Sequence, residues 1–454
     1  MIDTHCHLNF PQFKGDIDNL LERAANAGVT KMITIGIDVP SSRKCIQIAR
    51  KHKQVSASVG IHPNSTESVT EAQWTDLASL ACRNEVVAIG ETGLDYYRNS
   101  SLRRVQEAAF RRQIDISLEK DLPLVVHCRE AYDDCYEIMS GLKRPIKGVM
   151  HCFSGTARDA ARFSELGLYL SFAGPITFPG AKELRTIAGG VRPEIVLLET
   201  DSPFLAPQPR RGKRNEPAFV RYNALALAEI FGLTLTDIDR ITTLNADILF
   251  GLEPLPEKAK LAYLIRDSLY INLTSKCSNE CGFCVKNDTP YVKGHYLALD
   301  SKPAVDEIMS EIDSHSGYRE IVFCGLGEPT YRLDEIKDIS ARIRQHGVRV
   351  RINTNGHGDL INGREICPEL EGLVDAVSIS LNQPDAASYH RVCRPRFGEN
   401  TFNAIINFIK SAALNIPEVS ITVLDMPGVD IEACKKIAMQ LGVGFRLRDY
   451  NVVG

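Results

Sequence analysis

Residues 1–8 read MIDTHCHL, a short run of β-branched and apolar residues that ends on two histidines one residue apart. Strand side chains alternate between faces, so His5 and His7 share a face at the end of one strand and are able to grip one ion. Seven further runs of this kind follow: KMITIGI (31–37), VSASVGIH (55–62), VVAIGE (86–91), LPLVVHC (122–128), KGVMHC (147–152), YLSFAG (169–174) and IVLLETD (195–201). Helical patterns such as DIDNLLERAANAG (16–28) and VQEAAFRRQIDISLEK (105–120) lie between them. Short strands alternating with amphipathic helices make an α/β fold, and eight such repeats predict a closed (β/α)8 TIM barrel over residues 1–252.

Barrels of this kind place their sites at the C-terminal ends of the strands. His5 and His7 end the first strand, Glu91 the fourth, His127 the fifth, His151 the sixth and Asp201 the eighth. Four imidazoles and two carboxylates suit divalent zinc, manganese or magnesium, and serve two ions if one carboxylate bridges. His62, at the end of the third strand, reads either as a residue behind the ligands or as one facing a substrate.

The segments MIDTHCHL, VGIHP, GETGLDYY, LPLVVHCREA, MHCFSGT, LLETDSPFLAP and RGKRNEP together resemble the TatD family of metal-dependent hydrolases, the TatD-type deoxyribonucleases. That resemblance implies one metal on His5, His7 and Asp201, a second on His127 and His151, and Glu91 as the bridge. It further implies hydrolysis of a phosphodiester by an acidified water, with Asp201 and Glu91 as the catalytic pair and Asp201 orienting that water or taking its proton. Arg129 beside His127, Arg211 within the basic run 210–214, and His62 are the candidate substrate contacts.

The charged, proline-containing EPLPEKAK opens a predicted linker over 253–264, after which a second α/β series begins. Its strands are LYINLT (269–274), EIVFCG (320–325), RVRINTNG (349–356), AVSISLN (376–382), EVSITVLD (418–425) and FRLRDY (445–450). Five or six βα units are too few for an ordinary closed barrel, so residues 265–454 are expected to form a partial one. Directly after the first strand, SKCSNECGFCVKN (275–287) spaces Cys277, Cys281 and Cys284 as C-x3-C-x2-C. Three thiolates on one loop ligate three corners of a 4Fe-4S cluster and leave the fourth iron open. A zinc site would need a fourth ligand, for which His295 is the candidate.

The spacing, with Phe283 just before the third cysteine, resembles the radical S-adenosylmethionine (radical SAM) superfamily. The resemblance implies that S-adenosyl-L-methionine binds the open iron and is reductively cleaved to a 5′-deoxyadenosyl radical, with a reductant such as flavodoxin or ferredoxin. It assigns cofactor contacts to Phe283, to Gly325, Gly327 and Glu328 of GLGEP, to Asn353 and Asn355 of NTNG, and to Ser378 and Asn382 of SISLN. YHRVCRP (389–395) resembles segments of small activase-like members.

Lys plus Arg number 53 against 57 Asp plus Glu in 454 residues, and neither half is strongly basic. The near-neutral balance argues against tight sequence-independent coating of DNA, because such affinity comes largely from phosphate neutralisation. Nucleic acid ends, nucleotides or a small ester need only local arginines. Thirteen cysteines, an odd count, point to metal or cluster ligation instead of a disulfide framework. No run approaches the ~18 apolar residues of a membrane span, and MIDTHCHLNF lacks the features of an export signal, so a cytoplasmic protein without a membrane partner is expected. The leading expectation is a bifunctional enzyme, a metal-dependent phosphodiester hydrolase joined to a radical SAM enzyme. Two others stand beside it: an activase of a partner protein with an independent hydrolase, and a chain in which one half is only a binding or scaffold module. The oligomeric state has no signature in the sequence.

Overall fold

Eight short parallel strands follow one another around the first sheet in chain order. They are β1 (Ile2–Cys6), β2 (Lys31–Ile35), β3 (Val55–Val59), β4 (Val86–Asp95), β5 (Leu124–Arg129), β6 (Gly148–Met150), β7 (Tyr169–Phe172) and β8 (Val196–Leu198). The ring is closed just beyond β8. The Asp201 N–H donates to the His5 carbonyl at 2.9 Å, the His7 N–H donates to the Ser202 carbonyl at 2.7 Å, and Cys6 bridges Ser202 in parallel register. The computed structural model describes residues 1–98 and 100–450, and divides into two compact units, Met1–Leu255 and Pro256–Gly454.

Beneath the ligand-bearing strand ends lies a dry floor. Val125, Val149 and Leu197 each precede a polar residue (His127, His151, Glu199) by two positions and so share its face. They cluster with Ile33, Ile35 and Ala88, and Leu249 and Phe250 of the last helix, Leu235–Phe250, join them. A larger apolar core, with Phe13, Phe110, Phe163 and Phe172 fully buried, packs strands against the surrounding helices.

The second unit is an open seven-stranded sheet. It contains β9 (Ala262–Ile265), β10 (Ser268–Ile271), β13 (Glu320–Phe323), β14 (Arg349–Thr354), β15 (Ala376–Ser380), β16 (Glu418–Asp425) and β17 (Gly444–Asp449), and a separate small hairpin joins β11 (Tyr291–Val292) to β12 (His295–Tyr296). The order is β17-β16-β15-β14-β13-β10-β9, parallel throughout except for β9, which pairs antiparallel with β10. Six parallel strands make the partial barrel expected from the sequence. Strand β9 begins inside the stretch read as linker and ends one residue beyond it, and the two-residue strands of the hairpin are too short to carry a periodic signal. Along the parallel strands one face is apolar: Ile321, Phe323, Val350, Ile352, Val377, Ile379, Ile421 and Val423 pack in one core with the helices. The other face is polar. Among the described residues no single helix is long and apolar enough to cross a membrane.

Candidate metal centre and cluster loop

Glu91 lies inside β4, where the chain is pressed against β5. A Cβ on Gly93 would sit 2.0 Å from the His127 carbonyl oxygen, and one on Gly90 would sit 2.6 Å from that of Val125. With φ at +127° and +153°, both positions take a backbone that side chains disfavour. The two glycines flanking Glu91 thus let β4 approach β5 closely enough to put Glu91 against His127.

The two carboxylate oxygens of Glu91 face different groups. Oε2 is 3.6 Å from His5 Nε2 and 3.8 Å from His7 Nε2. Asp201 Oδ1 joins them, 3.7 Å from His5 Nε2 and 3.3 Å from His7 Nε2, and the two Nε2 atoms are 3.3 Å apart. Ligands about 2.1 Å from a tetrahedral ion are about 3.4 Å from one another, so the ligand atoms of His5, His7 and Asp201 are spaced as corners around one ion, with Glu91 Oε2 beside the two imidazoles. Oε1 faces the second group, 2.8 Å from His127 Nδ1 and 3.2 Å from His151 Nε2. His5 and His151 rings stack at 3.8 Å between the groups.

What stands behind the ligands orients them. The His7 Nδ1 donates to the Ile35 carbonyl at 3.3 Å, which leaves the Nε2 lone pair free for a cation. His151 Nδ1 is 3.2 Å from Glu199 Oε1, and the Ser171 hydroxyl donates to Glu199 Oε2 at 2.5 Å. His127 Nε2 lies 3.3 Å from Asp95 Oδ2, and Asp95 itself accepts from Asn64 Nδ2 and from the Tyr97 and Arg98 amides. Glu199 and Asp95 were not singled out in the sequence. Glu199 was findable, since it precedes Asp201 by two residues and faces the same way.

The electrostatics call for cations. Glu91, Asp95, Glu199 and Asp201 place four carboxylates in one largely buried cluster, a charge that two divalent ions balance. Burial opposes ionisation of Glu91, yet the imidazoles of His62, His151 and His127 hold its carboxyl well below the usual range. Burial likewise favours a neutral His151, but Glu199 and Glu91 push it well above the ordinary imidazole value. His127 is raised in the same way by Asp95 and Glu91, whereas His5, dominated by burial and by His151, is lowered. Divalent ions would replace the protons that these imidazoles otherwise take up. The donor set therefore fits two divalent cations, one on His5, His7, Asp201 and Glu91 and one on Glu91, His127 and His151.

Among the candidate substrate contacts, His62 lies in the cluster but is turned as a donor. Its Nδ1 accepts the Asn64 N–H at 3.1 Å, so in the neutral ring the proton is on Nε2, 3.4 Å from Glu91 Oε1. Arg129 is exposed and stacks over Tyr97 at 3.8 Å. Arg211 lies over Phe178 at 5.0 Å. Its neighbours are structural: Arg214 pairs with Asp16, and Arg210 lies over Phe219. Phe204, three residues after Asp201, is 45% exposed and stands edge-on to His7.

In the second unit, Cys277, Cys281 and Cys284 lie on the loop after β10, partly exposed. Burial pushes Cys277 up to about 11 and raises Cys284; contact with Cys393 and burial raise Cys281. Three thiols that resist ionisation need a cationic partner to become thiolates, as an iron–sulfur cluster provides. The loop is pinned from two sides. The end of YHRVCRP accepts from it, Glu280 N–H to the Cys393 carbonyl at 3.1 Å, and Asn355 Nδ2 donates to Ser278 Oγ at 2.9 Å. Below it runs a buried chain in which His357 joins Ser278 Oγ at 2.8 Å to Tyr389 Oη at 3.0 Å, and Asn279 Nδ2 donates to Tyr389 at 2.9 Å.

Several residues expected to touch S-adenosylmethionine are occupied otherwise. Glu328 is buried; its Oε1 accepts from the Thr330 amide and from the Thr330 and Thr354 hydroxyls, and its Oε2 accepts from the Asn355 amide at 2.7 Å. Glu328 therefore braces the turn that carries Asn355. A Cβ on Gly327 would lie 2.4 Å from the Thr274 carbonyl oxygen, and one on Gly325 2.2 Å from Asn272 Oδ1. These glycines bring the GLGEP loop onto the chain just ahead of Cys277. Ser378 pairs with Ser420 at 3.2 Å and lines a cavity with the strand starts Glu320, Arg349 and Glu418, away from the cysteine loop. Asn353 accepts from Arg351 Nη1 at 3.3 Å, Asn382 is buried at φ +56°, and Phe283 packs partly buried on the core. His295 Nε2 lies 3.0 Å from the Leu264 carbonyl, engaged within the sheet edge.

The model of the TatD-related DNase family matches residues 2–251. The chain belongs to that family. The radical SAM superfamily model matches residues 271–441, so this TatD-family chain also carries a radical SAM domain, and both parts are of enzymatic type. YabD of Bacillus subtilis, named an uncharacterized metal-dependent hydrolase, is 38% identical over 253 residues, 56% of this chain and 99% of YabD. The 3′-5′ ssDNA/RNA exonuclease TatD of Klebsiella pneumoniae is 33% identical over 259 residues, 56% of this chain and 98% of that protein. The crystal structure of the TatD homologue YJJV from Escherichia coli superposes with a TM-score of 0.53 at 30% identity, covering 56% of this chain and 98% of that one. The TatD-family unit is thus a TIM-type barrel whose relatives are metal-dependent hydrolases.

Proposed function

We propose that the first unit hydrolyses phosphodiester bonds at the ends of single-stranded nucleic acid or in nucleotides. The observation that carries this reading is Glu91, whose two oxygens face the His5–His7–Asp201 group and the His127–His151 group separately. Two divalent cations held there supply Lewis acidity for a phosphoryl oxygen and a more acidic water. Asp201, whose Oδ1 lies 3.3 Å from His7 Nε2, is the residue that orients the attacking water or takes its proton. Arg129 offers its guanidinium to a phosphate at the mouth, and His62 Nε2–H is a donor beside Glu91. The name of the K. pneumoniae relative supports a single-stranded substrate. The test is hydrolysis of bis(p-nitrophenyl) phosphate and of a single-stranded oligonucleotide with zinc, manganese or magnesium, against the chain freed of metal. Cleavage that persists in a chelator at zero metal content would overturn it.

For the second unit the proposal is reductive cleavage of S-adenosyl-L-methionine at a 4Fe-4S cluster on Cys277, Cys281 and Cys284. The cluster supplies the electron that yields the 5′-deoxyadenosyl radical. Asn355, Ser278 and the Cys393 carbonyl hold the loop; flavodoxin or ferredoxin is the reductant; and an oxygen-labile cluster belongs in the cytoplasm. Anaerobic purification with iron counting, then reduction with S-adenosylmethionine, reads this out as 5′-deoxyadenosine. Zinc in place of iron would refute it.

A further inference from the structure

The two residues after the first cluster cysteine are held by a closed ring of hydrogen bonds. Ser278 Oγ meets His357 Nδ1 at 2.8 Å, His357 Nε2 meets Tyr389 Oη at 3.0 Å, and Asn279 Nδ2 donates back to Tyr389 Oη at 2.9 Å. The peptide bond between Ser278 and Asn279 completes the ring. All four residues are buried, none more than 5% exposed. They come from three parts of the chain: the cysteine loop, the turn after β14, and the helix Ala386–Cys393. A neutral imidazole has one donor and one acceptor nitrogen, so one of the two hydroxyls donates to His357 and the other accepts from it. The ring is therefore complete without a charge. Cutting it at any point leaves buried polar atoms without a partner, so its members hold one another in place.

What the ring aims is the amide of Asn279. That N–H donates to Cys277 Sγ at 3.4 Å, and Asn355 Nδ2 stands farther off at 3.8 Å. The other side of the same peptide is gripped too, since the Arg396 N–H donates to the Ser278 carbonyl at 2.9 Å. In a planar trans peptide the C=O and the next N–H point opposite ways, so fixing the carbonyl and both side chains keeps the N–H on the sulfur. Hydrogen bonds to the sulfurs are one of the levers that set the potential of an iron–sulfur cluster, because they offset the negative charge that the reduced cluster carries.

We propose that His357 and Tyr389 are positioning residues of the radical SAM unit: through Ser278 and Asn279 they hold the Asn279 N–H on Cys277 Sγ and so raise the reduction potential of the cluster that loop binds. Both act through the turn. The proposal rests on the 4Fe-4S reading of the three cysteines.

The test is a redox titration of the full chain, loaded anaerobically with iron and sulfide and counted for iron, with the reduced cluster read by electron paramagnetic resonance. Tyr389→Phe removes one hydroxyl and keeps the aromatic ring. At wild-type iron content its midpoint potential should move to a more negative value. Ser278→Ala cuts the ring at its other hydroxyl and should move the potential the same way; it serves where Tyr389→Phe takes up too little iron to titrate. The double variant should move the potential no further than the larger single change, because either cut opens the same ring. Phe402 packs against Tyr389, ring centroids 6.1 Å apart, and offers it no hydrogen bond, so Phe402→Leu should leave the potential where it is. A fully loaded Tyr389→Phe or Ser278→Ala at the wild-type potential or above it, additive shifts in the double variant, or an equal shift in Phe402→Leu overturns the proposal and leaves the cluster in place. Single variants that both fail to hold iron also overturn it, since the ring would then build the site instead of tuning it. A wild-type chain that takes up no iron overturns the 4Fe-4S reading, and this proposal with it.

Discussion

The amide of Asp201 donates to the carbonyl of His5 at 2.9 Å, so a hydrogen bond that closes the barrel also sets two candidate ligands side by side. Asp201 holds φ at +54°, a left-handed conformation that costs a non-glycine residue about 1 kcal/mol. The turn that aims its carboxylate at His7 is held by the seam, which stabilises a conformation the residue alone would leave.

Replacing Glu91 by Gln removes the charge that both groups share. Phosphodiester hydrolysis is expected to fall by about 10²- to 10³-fold, the scale on which electrostatic groups in active sites act. Metal analysis of the same protein should find fewer than two ions per chain. A variant with full metal and full activity would place the bridge elsewhere.

Glu199 pairs with His151, accepts from Ser171 and stands close to His5, behind the candidate ligands. Glu199→Gln should therefore weaken metal affinity by about 10- to 100-fold while activity returns at high metal concentration. A metal titration of activity distinguishes this from a catalytic role, which added metal would not rescue.

Gly93→Ala puts a methyl group 2.0 Å from the His127 carbonyl oxygen, with backbone on both sides of the contact. Denaturant unfolding should show a loss of several kcal/mol, about the range of severe overpacking and strain.

Burial lowers His357 to about 4 in the folded chain, against an ordinary value of 6.5. The unfolded chain takes the proton first as pH falls. The stability this neutral ring contributes is complete above 6.5, declines between 6.5 and about 4, and amounts to on the order of 3 kcal/mol. Urea unfolding of the second unit followed across that window should show the decline, and His357→Gln should flatten it.

Replacing Cys277, Cys281 and Cys284 by Ala should abolish iron binding and 5′-deoxyadenosine release while hydrolysis by the first unit continues. Residual stoichiometric iron would move the cluster to other cysteines.

The barrel and its candidate metal ligands are legible because parallel barrels converge their strand ends and His5, His7, His127, His151 and Asp201 stand at or near one, whereas Glu91, expected at the end of its strand, lies inside β4. Asp95 is not legible, because its partner His127 lies 32 positions on and only the β4–β5 register, Asp95 beside Arg129, brings them together. Glycines beside an acid, as in GLGEP, look alike in sequence whether a ligand or another stretch of chain makes the close approach. In the folded unit it is the chain from Asn272 to Lys276 that comes close. The sequence locates Ser378 on a strand but not at which end of the sheet its neighbours open a cavity. The sheet edge β9 went unread because AYLI follows a charged, proline-containing stretch and is only four residues long.

One carboxylate facing two imidazole groups also has a thermodynamic consequence. Whatever charge Glu91 gives to one ion it withholds from the other, and whatever geometry one ion imposes on it the other inherits. The two occupancies are therefore linked variables: the first equivalent and the second should titrate with different affinities, and Glu91→Gln should make the sites independent as it weakens them.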